Sequence, residues 1–268
     1  MKQKTIRRSF HLEGTGLHSG KSVQLIINPA PPNAGIFFDK EGNKIPATIR
    51  HLKKTDRGTS LNGIAVVEHI LSAAYGLGLD NLEVKIVGDE LPALDGSALP
   101  YVEGFERAGI FEQKEAKNFI EIKTPIRIIE GDSSLEALPS RGFQIHFMVD
   151  FPGAGVQRLS FDAEKQSYRS EIAPARTFGY LEEYELLKKK GLALGATFEN
   201  ALVLGKEGYM DQPRFSDEVV RHKILDLIGD LCLLGSPLQA EVFAVKSGHK
   251  LNTQLVRRIL KTYDEPRH

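Results

Sequence analysis

Three ionisable side chains, each four residues after the last, interrupt an otherwise apolar run in VRHKILDLIGDLCLLG, residues 220–235. They are His222, Asp226 and Asp230. Residues four apart share one face of an α-helix, so the three form a single stripe. Val219, Val220, Ile224, Leu225, Leu227, Ile228, Leu231, Leu233 and Leu234 cover most of the remaining girth. A helix apolar nearly all round is a buried helix, and a buried carboxylate is costly unless it is paired. Two outcomes are open at this point. The stripe can meet solvent or a neighbour's Lys and Arg, or a His and an Asp one turn apart can hold a metal ion. The second resembles the paired histidines of a helical His-Glu-x-x-His segment. A catalytic metal needs a third protein ligand from elsewhere in the chain.

The chain has eight histidines, and two stand in settings suited to chemistry. His69 lies in VVEHILSAA, a small-residue apolar helix, directly after Glu68. Neighbours on a helix point about 100° apart. A metal on His69 would therefore lie near Glu68 without Glu68 having to bind it, which is how a general base is set beside an activated water. His249 lies in SGHKLN, on a tight glycine-containing loop ahead of a helix with Asn252 as its N-cap. Asp230 is suited to orienting such a histidine and favouring its protonated form. His11, His18 and His51 fall on strands or loops with no nearby acid-base partner. His146 alternates within a strand, and His268 is the last residue. All five read as surface or core.

The elements that must position these groups follow one plan twice. RSFHLEG, SVQLIINP, GIFFDK and KIPAT read as strands. GIAVVEHILSAAYGLG has helical periodicity, NLEVKIVG is an alternating strand, and LDGSALPYVEGFERAGI is a turn and a helix capped by Ser97. EQKEAKN, residues 112–118, is polar and reads as a linker. Strands resume in FIEIKTPIRIIEG, SLEALP, FQIHFMVDF and QRLSF. ARTFGYLEEYELLKKKG is an extended piece entering a charged helix, and NALVLG is a strand. The apolar helix follows, with Asp217 and Glu218 in its acidic first turn, then AEVFAVKS as a strand and NTQLVRRILKTY as the last helix. The expected fold is α+β, in two domains of similar plan, 1–114 and 119–268.

Composition bounds the function. With 41% hydrophobic and 26% charged residues the chain is globular. Lys+Arg and Asp+Glu are both 35, so no global field recruits nucleic acid or an anionic membrane. One cysteine, Cys232, rules out an intrachain disulfide and any zinc site built on two thiolates. MKQKTIRRSFHLEG lacks the apolar run of a signal peptide. No stretch approaches the roughly 18–20 apolar residues of a membrane span. These features together lead us to expect a cytoplasmic protein.

Several separated stretches, in order, resemble one family. They are LEGTGLHSGKSVQLIINP, VVEHILSAAYGLGLDNLEVKIVGDELPALDGSA, ARTFGY, NALVLG, RFSDEVVRHKILDLIGDLCLLGSPLQA and SGHKLN. The chain resembles the UDP-3-O-acyl-N-acetylglucosamine deacetylases, zinc amidases that commit substrate to lipid A synthesis in Gram-negative bacteria. The resemblance implies two α+β domains, each a β-sheet on a helix pair, with the helices sandwiched between the sheets. It implies His69, His222 and Asp226 as ligands of zinc, with iron(II) as the alternative metal. By the same resemblance Glu68 is the base, His249 the acid and Asp230 its partner. Thr177 stabilises the oxyanion, Lys223 contacts substrate and Phe178 walls the site. Residues from about 180 to 205 resemble an insert that forms a tunnel for the acyl chain. The implied partner is the UDP-3-O-acyl-N-acetylglucosamine substrate, and a monomer is expected. The competing expectations are a zinc amidase for another acylated nucleotide sugar and a non-catalytic binding protein. A silent copy is expected to lose the base or a ligand, and all are present.

Overall fold

The computed structural model describes residues 1–264; His268 lies outside the described residues. In chain order the first half contains β1 (Lys2–Ile6), β2 (Phe10–Thr15), β3 (Ser22–Pro29), β4 (Ile36–Lys40), β5 (Asn43–Pro46), β6 (Leu52–Lys54), β7 (Ser60–Leu61), α1 (Glu68–Gly76), β8 (Leu82–Val87), α2 (Leu99–Ala108) and β9 (Ile110–Ala116). The second contains β10 (Ile120–Glu121), β11 (Ile126–Glu130), β12 (Ser133–Pro139), β13 (Phe143–Phe151), β14 (Gly155–Asp162), α3 (Tyr168–Glu171), β15 (Phe178–Tyr180), α4 (Leu181–Lys189), β16 (Leu202–Leu204), α5 (Glu218–Leu231), β17 (Leu238–Val245) and α6 (His249–Asp264).

The two main sheets are built alike. One runs β2-β3-β8-β4-β5 and the other β11-β12-β17-β13-β14, with β10 also paired to β17. In each, four strands are laid down in turn, a helix follows, and the fifth strand inserts at the centre. That central strand is antiparallel to the second strand and parallel to the third (β8 to β3 and β4; β17 to β12 and β13). A further helix closes each unit. The mixed α+β expectation is met, and the similar plan of the halves is a topological identity.

The alternating burial of β3 and β13 gives each sheet one apolar face for helices. α1 packs on α5, α5 on α6 and on β13 and β14, and α6 on β11 and β12. On the other side the ring of Phe105 in α2 meets Phe10 of β2 edge-on, centroids 5.6 Å apart. The buried apolar residues form one continuous cluster through both halves. α5 is buried over twelve of its residues because sheet and helices cover it from opposite sides.

The close approach of α1 and α5 depends on Gly229. A Cβ there would lie 2.2 Å from the backbone oxygen of Glu68. Each unit also carries an insertion between its fourth sheet strand and the helix that leads to its central strand: the β6–β7 hairpin ahead of α1 in the first half, and α3, β15, α4 and β16 ahead of α5 in the second.

Three readings of local structure need correction. Residues 112–116 are not linker but part of β9, which pairs antiparallel with β1. Their polar composition suits a two-stranded ribbon whose buried polar side chains are all hydrogen-bonded: Gln3 donates to Ala116 O, Thr5 to Asn81 O and Gln113 to Ala30 O. The last helix begins at His249 rather than after Asn252, so His249 is a helix residue and Asn252 lies within the first turn. α2 begins at Leu99 with Ala98 at the cap, although the Ser97 hydroxyl still accepts the Leu99 amide at 3.1 Å. No helix among the described residues is long and apolar enough to cross a membrane.

Candidate active site

At one end of the α1–α5 contact the two helices bring their polar residues together. α5 supplies His222, Asp226 and Asp230, and α1 begins with Glu68 and His69. The ligand-capable atoms of His69, His222 and Asp226 lie within 4.8 Å of one another, and those of Glu68, Asp226 and His249 form a second such group. His222 Nε2 is 3.3 Å from Asp226 Oδ1, and the His69 and His222 rings meet edge-on at 5.2 Å.

These residues suit a metal ion. The Nδ1–H of His222 donates to the Ala175 carbonyl at 3.1 Å, which leaves the Nε2 lone pair facing the cluster. Burial keeps both imidazoles neutral: it depresses His69 to about 3, with His222 adding to the effect, and lowers His222. Burial works against ionised Asp226. Lys223 above all, with the cationic His249, outweighs it and holds this carboxyl well below its ordinary value. Lys223 Nζ sits 2.7 Å from Asp226 Oδ2. Two neutral nitrogens and a carboxylate are a donor set for zinc or a similar transition metal.

Beside this cluster stand two groups poised for proton transfer. Glu68 is buried, and burial raises it from 4.5 to about 7 against the opposing charge of His249. Burial alone would lower His249. Asp230, Asp226 and Glu68 together raise it instead to about 9. His249 Nδ1 donates to Asp230 Oδ2 at 2.8 Å, while Nε2 faces Glu68 Oε1 and Asp226 Oδ2, each at 3.8 Å. Asp230 thus lies behind His249 rather than in the cavity wall. One base and one acid side by side, both raised above their usual values by their surroundings, form an acid-base pairing.

The groups open onto a cavity of about 470 Å³. Thr177, Phe178 and Lys223 line it near the cluster, and Tyr180, Leu181, Leu187, Ala193, Phe198, Ala201 and Val203 continue it as an apolar channel. Residues of the 180–205 segment therefore line part of this cavity. Thr177 is held by its own backbone: its amide donates to Gly96 O and its carbonyl accepts from Leu202, both at 2.8 Å. Gly96 needs to be glycine, since φ is +80° and a Cβ would lie 2.0 Å from Asn200 O. Asp95 accepts from the Ser97 amide and hydroxyl, so LDGS is structural. The Phe178 ring meets His222 edge-on at 6.1 Å.

Several residues of the site escaped the sequence reading. His18, set aside there, lines the cavity, with its ring 3.0 Å from Arg57 O. Glu218, read as an acidic first-turn residue, extends the stripe by one more turn. It is fully buried and accepts from the Arg176 amide at 2.9 Å and Arg176 Nε at 3.0 Å. Arg176 also bonds Asp211, and Asp211 accepts the Val203 amide, so this network ties α5 to the strands beside Thr177. Asn252 donates to Asp230 at 2.8 Å instead of capping a helix. Thr59 touches both Glu68 and Asp230. Val66 is held at φ +59°, a strained conformation for a β-branched residue, two positions before Glu68. Of the remaining histidines, His51 bonds Thr48, and His146 lies between Ser160 and Glu241 on a sheet. Burial pushes the Cys232 thiol up to about 12, consistent with a packing role.

The chain matches the family model described as UDP-3-O-acyl N-acetylglycosamine deacetylase over residues 3–261. It is 43% identical to the UDP-3-O-acyl-N-acetylglucosamine deacetylase of Coxiella burnetii (strain CbuK_Q154), over 98% of this chain and 91% of that one. It is 42% identical to the protein of the same name from Saccharophagus degradans, over 98% and 92%. For the one from Syntrophotalea carbinolica the figures are 39%, 98% and 89%.

Proposed function

Because the chain belongs to the UDP-3-O-acyl N-acetylglycosamine deacetylase family, we propose that it removes the acetyl group from UDP-3-O-(3-hydroxyacyl)-N-acetylglucosamine, the committed step of lipid A biosynthesis. The observation that carries this reading is the convergence of two neutral imidazoles and a carboxylate with a base and an acid that are both raised above their usual values, at the end of an apolar channel. In this reading residues 1–114 supply Glu68 and His69, and residues 119–268 supply the remaining site groups. The chain works in the cytoplasm as a monomer.

His69, His222 and Asp226 would hold the metal, zinc or alternatively iron(II). When bound, such an ion supplies Lewis acidity, polarising a carbonyl oxygen and acidifying a nearby water. The ionised Glu68 carboxylate accepts a proton from the attacking water. The Thr177 hydroxyl donates a hydrogen bond to the oxygen that gains negative charge. The leaving amine departs only once protonated, and His249, kept cationic by Asp230, holds that proton at Nε2. Lys223 contacts the substrate beside Asp226, and Phe178 forms one wall of its binding site. Leu187, Ala193, Phe198 and Ala201 take the acyl chain. The products are acetate and the free amine.

Mass spectrometry of the acylated UDP-sugar after incubation with the purified chain tests the assignment. Loss of one acetyl group with the 3-O-acyl chain intact is the expected result. Unchanged substrate with folded, metal-loaded protein, or turnover only of a different acylated nucleotide sugar, would overturn it.

A further inference from the structure

Thr59 precedes β7 in the first-half insertion and is fully buried. Three of its groups are committed. Its carbonyl accepts from the Val67 amide at 3.1 Å, which fixes it to the start of α1. Its own amide donates to Glu68 Oε2 at 2.9 Å, leaving Oε1 as the carboxylate oxygen facing His249 Nε2. Its hydroxyl donates to Asp230 Oδ1 at 2.5 Å. A hydroxyl has one proton, so with that proton on Asp230 the Thr59 oxygen can only accept from His249 Nδ1, 3.3 Å away. Nδ1–H therefore faces two acceptors, Asp230 Oδ2 and Thr59 Oγ1, and the ring is held in one orientation. Asn252 donates to the same Asp230 Oδ2, and its own oxygen accepts from Ser247 at 2.6 Å. Gly58 makes room for this arrangement: at φ +141°, a Cβ there would come within 3.0 Å of Glu68 Oε1.

We propose that Thr59 is a positioning residue that fixes the base and the acid relative to each other across the two halves of the chain. The inference rests on the roles given above to Glu68 and His249. The amide restrains a carboxylate of the first half, and the hydroxyl restrains the carboxylate that orients a histidine of the second. Neither contact reaches the substrate, so Thr59 acts only through its neighbours. Groups that orient catalytic residues from behind typically contribute about 10–100-fold.

The test is steady-state kinetics of the full chain with Thr59→Val, Thr59→Ser and Thr59→Ala, alongside nuclear magnetic resonance of the His249 imidazole N–H. Thr59→Val should lower kcat about 10–100-fold with little change in KM. Serine keeps the donor and should retain most of kcat, whereas alanine should match valine. Ser and Ala both lack the methyl group, so this pair isolates the hydroxyl even if valine fails to fold. In a His249→Gln background the loss from Thr59→Val should largely vanish, because the two residues act as one unit. Unchanged kcat in Thr59→Val and Thr59→Ala, equal losses in serine and alanine, or a full additional loss in the His249→Gln background would each overturn the proposal. The imidazole resonance needs no turnover and should move in Thr59→Val. A wild-type chain without turnover, whose resonance still moves, would sink the deacetylase reading and not the fixture. An active wild type with no change in resonance or kcat in the variant would sink the fixture alone.

Discussion

Gly229→Ala is the substitution whose outcome the packing fixes most tightly. Taken as a helix residue alone, it should stabilise the chain, since alanine is about 0.8–1.0 kcal/mol better than glycine in a helix interior. The neighbour reverses that sign. The new Cβ would lie 2.2 Å from Glu68 O, 2.8 Å from Glu68 C and 3.0 Å from Glu68 Cα. All three are backbone atoms, so no side chain can swing away. Ordinary carbon contacts begin at about 3.5 Å, so α1 and α5 must separate by about 1 Å at the point where they share the site. Overpacking of this kind costs roughly 1–3 kcal/mol, which exceeds the propensity gain. The larger effect should be on chemistry. His69 and Glu68 move with α1, His222 and Asp226 with α5, and a misplacement of about 1 Å can cost about 100-fold in rate. Denaturant unfolding, kcat and metal content of the purified variant test this together. A folded variant that is less stable, with kcat down about 100-fold, is expected. A variant of equal or greater stability with wild-type turnover would refute the claim that this glycine sets the spacing of the two helices.

Other perturbations address the remaining groups. Glu68 acts as a base only when ionised and His249 as an acid only when protonated, so kcat/KM should rise through about 7 and fall through about 9. Asp230→Asn should move the falling limb to lower pH by removing the charge that most raises His249, and an unmoved limb would dissociate that limb from His249. Glu68→Ala should cost about 10²–10⁴-fold in kcat, and near-full activity would remove Glu68 from the role of base. Arg176→Met leaves Glu218 with only backbone donors in a fully buried position. It should destabilise the chain by about 3 kcal/mol, the lower end for breaking a buried pair, and an unfolding curve like that of the wild type would contradict this. Ala201→Phe narrows the channel and should reduce kcat/KM for long acyl chains at least about 10-fold more than for short ones, and an equal loss for both would place the acyl chain elsewhere.

What could be read from the sequence was the part of the site whose geometry is local. A four-residue spacing on one helix is itself a distance, so His222, Asp226 and Asp230 could be placed together without a fold. Glu68 and His69 are adjacent in sequence, and their divergent directions follow from the helix alone. Glu218 lies on the same stripe, but an acidic residue at a helix start has a common solvent-facing explanation, and its partner Arg176 is far away in sequence. Asn252 looked like a cap because asparagine favours that position. Its amide is instead taken by Asp230, twenty-two residues earlier. Thr59 carries no periodic signal, and its importance comes from partners 9 and 171 residues away. The β1–β9 ribbon was missed for a similar reason. Two short polar strands more than a hundred residues apart leave no hydrophobic pattern, so β9 resembled a linker. The shared strand order of the halves is likewise a fact of pairing, which alternation within each strand does not encode.

The most direct test of the account is acetate release from UDP-3-O-(3-hydroxymyristoyl)-N-acetylglucosamine by the purified chain, followed before chelation, after it, and as zinc or iron(II) is returned. The account predicts turnover that is lost with the chelator and recovered with metal, and no such recovery in a His222→Ala or Asp226→Ala variant. Turnover that survives complete removal of metal, or recovery in those variants equal to that of the wild type, would contradict it.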